Sequence, residues 1–184
     1  KRGPNGLKGC NSVAIVERNG RKYRLSGNLN KFQIDLQIHL IDWKWEHITR
    51  EAGMFKTRSG ELVALDALLP ASIPQDALPL LYPPIRDPFR EHQEAFPFAT
   101  HDFFHHMASS HAANANLFLP ILLHPKANGI LRRLKPDLHS LATGELYKGF
   151  QLEYTGTDPH RGPLGDSSIG TEADLAIAHF NQDG

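Results

Sequence analysis

Apolar and polar positions change rhythm several times along the chain. Val13-Ala14-Ile15-Val16 is an apolar run, Lys22-Tyr23-Arg24-Leu25 is a second β-prone run, and Asn19-Gly20 lies between them. Asn-Gly tolerates the positive φ angles of a tight turn, so this stretch predicts a type I′ hairpin. Residues 32–40 then alternate strictly, Phe32, Ile34, Leu36, Ile38 and Leu40 against Gln33, Asp35, Gln37 and His39. A period of two predicts a half-buried strand. The same residues also place Phe32, Leu36, Leu40 and Trp43 along one face of a helix. Residues 41–52 read as helical, stopping at Gly53.

Downstream, residues 70–98 are rich in proline, with Pro79, Pro83, Pro84, Pro88 and Pro97 among them. Proline fixes φ and removes a backbone donor, so long regular elements are not expected there. Leu68, Leu69, Leu78, Leu80, Leu81 and Phe89 offer apolar anchors, which suits an extended connector wrapped on the surface. From His101 to Leu119 there is neither Gly nor Pro and alanine is abundant, predicting a helix over 102–119. A short helix is expected over 128–134. Residues 149–154 alternate as a strand, a glycine-bearing loop spans 155–171, and the apolar run 173–180 predicts a further strand. The closing Asn181-Gln182-Asp183-Gly184 has hairpin-turn chemistry. A return strand is therefore expected beyond Gly184, since a core-type strand at a bare edge exposes unpaired backbone groups.

The expected organisation is a basic β-rich part over 1–69, the connector over 70–98, and an α/β part over 99–184. At 184 residues with 40% hydrophobic and 22% charged side chains, the chain can bury a core and is not a coiled coil or a fibre. No apolar run reaches the roughly 18 residues of a membrane span. The single cysteine, Cys10, excludes an internal disulfide framework. The first residues carry no apolar signal-peptide stretch, so a cytoplasmic location is expected. Net charge is zero, yet residues 1–60 hold 12 Lys and Arg against 5 Asp and Glu. Arg18, Arg21, Lys22 and Arg24 form the densest part of that excess in the predicted hairpin and could contact phosphates. A solvated hairpin surface is the ordinary alternative.

Asp174 is the sharpest chemical candidate. A carboxylate opening an apolar strand is costly unless hydrated or paired, and beside a glycine loop it suits Mg²⁺ or Mn²⁺. Glu153, on the preceding strand, could converge on the same ion, and Glu172 is a lesser candidate two residues before Asp174. His101, His105, His106 and His111 cluster in sequence, and His101 with His105 has the spacing to grip zinc on a helix. No glutamate accompanies them in the order a helical zinc hydrolase needs. A Ser109-Ser110-His111 nucleophile is rejected, because adjacent helical residues do not face each other.

Two stretches together resemble a known family. Ser109-Ser110-His111, then Asn116, Phe118 and Pro120, is similar to the helix of a divergent group in the PD-(D/E)XK nuclease superfamily, with His111 where that group tends to show glutamine. Leu152-Glu153-Tyr154, Leu164-Gly165-Asp166 and Gly170-Thr171-Glu172-Ala173-Asp174 resemble the same group's strand, loop and motif aspartate. The resemblance covers about 107–184. It implies a restriction-endonuclease-like central mixed sheet flanked by helices, here with an N-terminal β-hairpin extension. It makes Asp174 the catalytic metal ligand and Glu153 an auxiliary catalytic and metal-binding acid, with Ser109, His111 and Asn116 lining the site. The implied reaction is metal-dependent hydrolysis of a phosphodiester, with Mg²⁺ or Mn²⁺ as cofactor, nucleic acid as partner and DNA favoured over RNA. Many nucleases of this class cut two strands as dimers, so a homodimer is allowed. The superfamily's Glu-x-Lys strand does not occur in these residues and would be expected after Gly184. The alternative is a non-catalytic nucleic-acid or protein-binding module of the same fold.

Overall fold

A computed structural model describes residues 12–57, 59–98, 100, 103–144, 146–154 and 173–181. They are of mixed α and β class, with four helices and strands that pair as four two-stranded antiparallel ladders. Two compact units can be told apart. The first takes the described residues up to 80 together with 103–109, and the second takes the rest. No helix among the described residues is long and apolar enough to cross a membrane.

In the first unit, β1 (Val13–Arg18) and β2 (Arg21–Ser26) form the expected hairpin, with Arg18 opposite Arg21. Asn19 at φ 52° and Gly20 at φ 73° make its turn, as the Asn-Gly pair required. The alternating stretch that follows is not a strand. It is the first half of a 17-residue helix, α1 (Lys31–His47), which ends well before Gly53. Its start is set by a reciprocal cap. The Gln33 N–H donates to Asn30 Oδ1 at 2.9 Å, and the Asn30 N–H donates to Gln33 Oε1 at 2.9 Å. The buried face runs through Ile34, Ile38, Ile41 and Trp45 at helical spacing and packs on Val16, Tyr23, Leu25 and Ala67. Phe32, at 72% exposure, and Leu36 stay outside it. Alternation misled because two of its apolar positions are surface residues.

Strands β3 (Gly53–Lys56) and β4 (Leu62–Leu65) form a second hairpin. Gly53 opens β3, and a Cβ there would lie 2.5 Å from both Leu68 Cβ and the Leu69 carbonyl oxygen. Its N–H donates to the Leu68 carbonyl at 3.1 Å.

Lys44 organises this unit. It is fully buried, and its ammonium donates to the carbonyls of Glu51 (2.6 Å), Asp66 (2.9 Å) and Leu68 (2.6 Å). Beside it the buried Asp66 carboxylate accepts from the Arg24 N–H at 2.7 Å and from its guanidinium at 2.6 and 3.1 Å. The expected helix over 102–119 begins only at Ser110. Residues 103–109 turn instead. The Leu69 N–H donates to the His105 carbonyl and the Met107 N–H to the Ala67 carbonyl. The ring of His106 accepts the Ala108 N–H at 3.0 Å, a local bond that competes with helix formation.

The second unit holds α2 (Arg86–Ala95), α3 (Ser110–Leu122), α4 (Ala127–Leu131), β5 (Leu138–Leu141), β6 (Phe150–Tyr154), β7 (Ala173–Ile177) and β8 (His179–Asn181). The proline-rich stretch contains a ten-residue helix after all. Pro83 and Pro84 precede α2 and Pro88 lies in its first turn, where no intrahelical donor is lost. The expected single strand over 173–180 is split at Ala178, because the chain changes partner there. β7 pairs with β6 and β8 with β5, while the Ala178 N–H reaches the Gly149 carbonyl at 3.0 Å. The turn chemistry after Asn181, the loop over 155–171, His101 and Cys10 lie outside the described residues.

Two expected outcomes test this account of the first unit. Gly53→Ala forces backbone to move and lowers stability by about 2 kcal/mol or more, read from urea unfolding; a neutral result contradicts the close approach. Burial pulls the Lys44 ammonium from the ordinary 10.5 down to about 8, with Arg24 acting in the same direction and Asp66 and Glu51 against it. Between those values the unfolded chain holds a proton that the folded chain has released, so stability rises as pH climbs from about 8 towards 10.5. Lys44→Met orphans carbonyl acceptors and lowers stability by about 2–4 kcal/mol. It also removes that rise, and an identical pH profile in the variant contradicts the assignment.

Candidate functional site

The chemistry of the second unit gathers where α3 lies against the β6–β7 ladder. β6 is an alternating strand for three residues, with Phe150 and Leu152 buried and Gln151 half-buried. Glu153 breaks the rhythm. Its φ is 49°, a left-handed conformation that a side chain bearing a Cβ adopts at a cost of about 1–2 kcal/mol. Regular pleating would turn Glu153 outward. It is buried instead, as Leu152 before it is, at 9% exposure. The ladder records the distortion, since Leu152 pairs with Leu175 and Tyr154 with Ala173 while Glu153 and Asp174 between them make no regular pair.

The buried carboxylate meets the first turn of α3, where His111 Nδ1 lies 3.6 Å from Glu153 Oε1, an ion-pair distance when the ring is protonated. His111 is itself buried and is walled by Phe89 and Phe98, with ring centroids 5.9 and 5.6 Å away. One turn further along α3, the Asn114 amide donates to the backbone carbonyl of Asp174. Asn114 thereby ties the helix to β7 at the residue across from Glu153. The Asp174 side chain is exposed. The ladder thus sets two carboxylates on facing residues, one drawn inward against an imidazole and one left in water.

A second histidine supports the arrangement from below. His92 of α2 is fully buried, its Nε2 accepts the Leu152 N–H at 3.0 Å, and its ring stacks on Phe150 at 5.0 Å. It therefore fixes the backbone just before Glu153. Acceptance at Nε2 requires the neutral ring. Burial, with a smaller contribution from Lys148, lowers its pKa to about 4.

The other residues expected in the site sit as follows. Asn116 turns from Glu153 to accept the Tyr82 N–H at 2.7 Å, holding the approach to α2. Ser109 is buried and belongs to the first unit, where its N–H donates to the His106 carbonyl. Glu172 lies outside the described residues. Asn114 and His92 were missed by sequence reasoning. Asn114 follows His111 by three residues, one helical turn, and that spacing was the available signal. His92 sits in the proline-rich stretch where long regular elements are not expected.

The hairpin cations expected to meet nucleic acid are largely spoken for within the first unit. Arg18 pairs with Asp35 at 2.6 Å, Arg21 with Asp42 at 3.2 Å, and Arg24 with the buried Asp66 at 2.6 Å. Lys22 is exposed, and no ion pair engages it among the described residues.

Mg²⁺ is commonly held by one or two carboxylates with water completing the shell; in this ladder Glu153 is buried beside His111 and Asp174 is exposed. No group of three or more His, Cys, Asp or Glu placed to hold a metal ion occurs among the described residues; His101, on which the histidine-based zinc reading depends, lies outside them. No family model matches the chain, and no curated protein or solved structure matches it either.

The support that His92 lends has a measurable signature. Its unfolded-state pKa of about 6.5 exceeds the folded value, so lowering the pH through this window protonates the unfolded chain first and stability falls. Between pH about 7.5 and about 5 the natural chain loses about 2 kcal/mol more stability than His92→Gln, whose amide oxygen can still accept the Leu152 N–H. Equal losses in the two proteins contradict a neutral, load-carrying imidazole.

Proposed function

We propose that the chain contributes the Glu153–Asp174 end of a divalent-metal-dependent phosphodiesterase site acting on nucleic acid, in a restriction-endonuclease-like arrangement. The observation that carries this reading is the inversion of Glu153. A left-handed, buried glutamate opposite an exposed aspartate in one ladder is a strained feature, and such features concentrate at functional sites. The described ladders are two-stranded, so the wider mixed sheet is part of the proposal.

Asp174 and Glu153 would hold the Mg²⁺ or Mn²⁺ ion. When bound, the ion would activate water and neutralise charge developing on the phosphoryl oxygens. The chain's own groups do the positioning. His111 sets the Glu153 carboxylate at the helix end, Asn114 fixes the backbone of Asp174, and His92 fixes the backbone entering Glu153. Phe89 and Phe98 keep water from the imidazole.

The test is cleavage of labelled single- and double-stranded DNA and RNA by the full natural chain, with Mg²⁺, with Mn²⁺ and with chelator. Asp174→Ala and Glu153→Gln should each lower the rate by about 100-fold or more while leaving the circular dichroism spectrum unchanged. Undiminished cleavage in either folded variant removes that residue from the mechanism. Metal-independent binding without cleavage would favour the non-catalytic module of the same fold.

A further inference from the structure

Three cations of the first unit line one feature. Arg21 and Lys22 at the start of β2, Trp45 in the last turns of α1, and Arg50 just beyond it line an open concavity of about 330 Å³. Arg50 lies well outside the basic run seen in the sequence, and Trp45 entered that reading only as an apolar residue. The fold brings them together because β2 packs on α1, through Tyr23 and Leu25 against Ile38 and Ile41.

Three cations surround one indole here. Lys22 and Arg50 are exposed and form no ion pair among the described residues. Arg21 shares Asp42 with the Tyr23 hydroxyl, at 3.2 and 2.9 Å. That carboxylate therefore satisfies only part of a five-donor guanidinium. Glu17, opposite Lys22 in the hairpin ladder, is the nearest acidic partner in register. The indole is held rigidly, stacked on Tyr23 with centroids 5.1 Å apart and planes within 6°. A fixed aromatic surface rimmed by cations has the chemistry of a base-and-phosphate site, with stacking for the base and charge for the backbone. A lipid surface would call for a broad apolar face, and an acidic peptide would make no use of the indole.

We propose that Arg21, Lys22, Arg50 and Trp45 form a binding site for a single-stranded nucleic-acid segment, the cations taking phosphates and Trp45 packing on a base. This rests on the reading above that nucleic acid is the partner, and it relocates the contact from the hairpin as a whole to one concavity. Arg18 and Arg24, committed to Asp35 and Asp66, are excluded from it.

The experiment is a titration of the full chain with a fluorescein-labelled oligothymidylate of about 12 nucleotides, a length within the site sizes of single-strand binders. It is run in chelator so that binding is read without cleavage. Lys22→Glu with Arg50→Glu should weaken binding by at least about tenfold and flatten its salt dependence. Lys126→Glu with Arg133→Glu, two exposed cations of the second unit, changes the net charge equally and should alter affinity by less than about twofold. In a Trp43→Phe background Trp45 is the only tryptophan left, and its fluorescence should be quenched with the same midpoint as the anisotropy change. Equal weakening by the two charge-reversal pairs overturns the proposal, as does saturable binding that leaves Trp45 unquenched. Inorganic polyphosphate displacing the oligonucleotide at equal phosphate concentration would show an anion site without base recognition, and also overturns it. Binding with these properties but no cleavage under any metal sinks the phosphodiesterase reading alone. Cleavage that needs Asp174 but ignores Lys22→Glu with Arg50→Glu sinks this one alone.

Discussion

Charge taken out of water has to be answered by a partner, and both compact units are arranged around that demand. In the first, Lys44 is buried against three carbonyls and Asp66 against Arg24. Those bonds connect α1, β2 and the segment after β4, so the first hairpin, the helix and residues 66–68 are held together through the buried Lys44 and Asp66. In the second, Glu153 is drawn inward by an inverted backbone to meet His111. In the first unit the buried charge meets hydrogen-bond partners, whereas Glu153 and His111 lie 3.6 Å apart. Lys44 keeps ordinary helical geometry and satisfies every donor. Glu153 accepts a left-handed φ, as Leu78 and Lys148 also do, and is the one of these that carries a buried carboxylate.

The supporting groups follow from that distinction. His92 holds the Leu152 N–H, Asn114 holds the Asp174 carbonyl, and aromatic rings enclose His111. Each acts on the backbone or the surroundings of a carboxylate, and His111 lies against the Glu153 carboxylate itself. In the first unit, acidic residues remove Arg18 and Arg24 from the pool of available cations. Positive charge in a sequence is open to a partner only where the fold withholds counter-charges, as it does at Lys22 and Arg50 among the described residues.

Much of the fold was legible where local chemistry decides. The Asn19-Gly20 hairpin, β6 and the mixed α and β class follow from turn residues and short-range pattern. The failures have identifiable causes. Strict alternation over 32–40 points to a strand, but the Asn30–Gln33 capping box starts a helix there and satisfies two backbone donors at once. Proline over 70–98 argues against long regular elements, yet at 83–88 its position before and within a first turn suits a helix start. The helix over 102–119 lost its first half to tertiary bonds from Ala67 and Leu69 that no local pattern encodes. Glu153 and Asp174 were legible as residues. The inversion of Glu153, its burial against His111 and the contribution of Arg50 to a distant hairpin were not, because each depends on which elements pack together.

The most direct test of the central claim is a titration of the isotope-labelled chain with Mn²⁺, followed by paramagnetic broadening of its backbone amide resonances. The account predicts that residues 151–154 and 173–176 broaden first and together, and that Asp174→Asn abolishes the effect. Broadening confined to other acidic surface residues, or none around Glu153 and Asp174 at saturating ion, would contradict it.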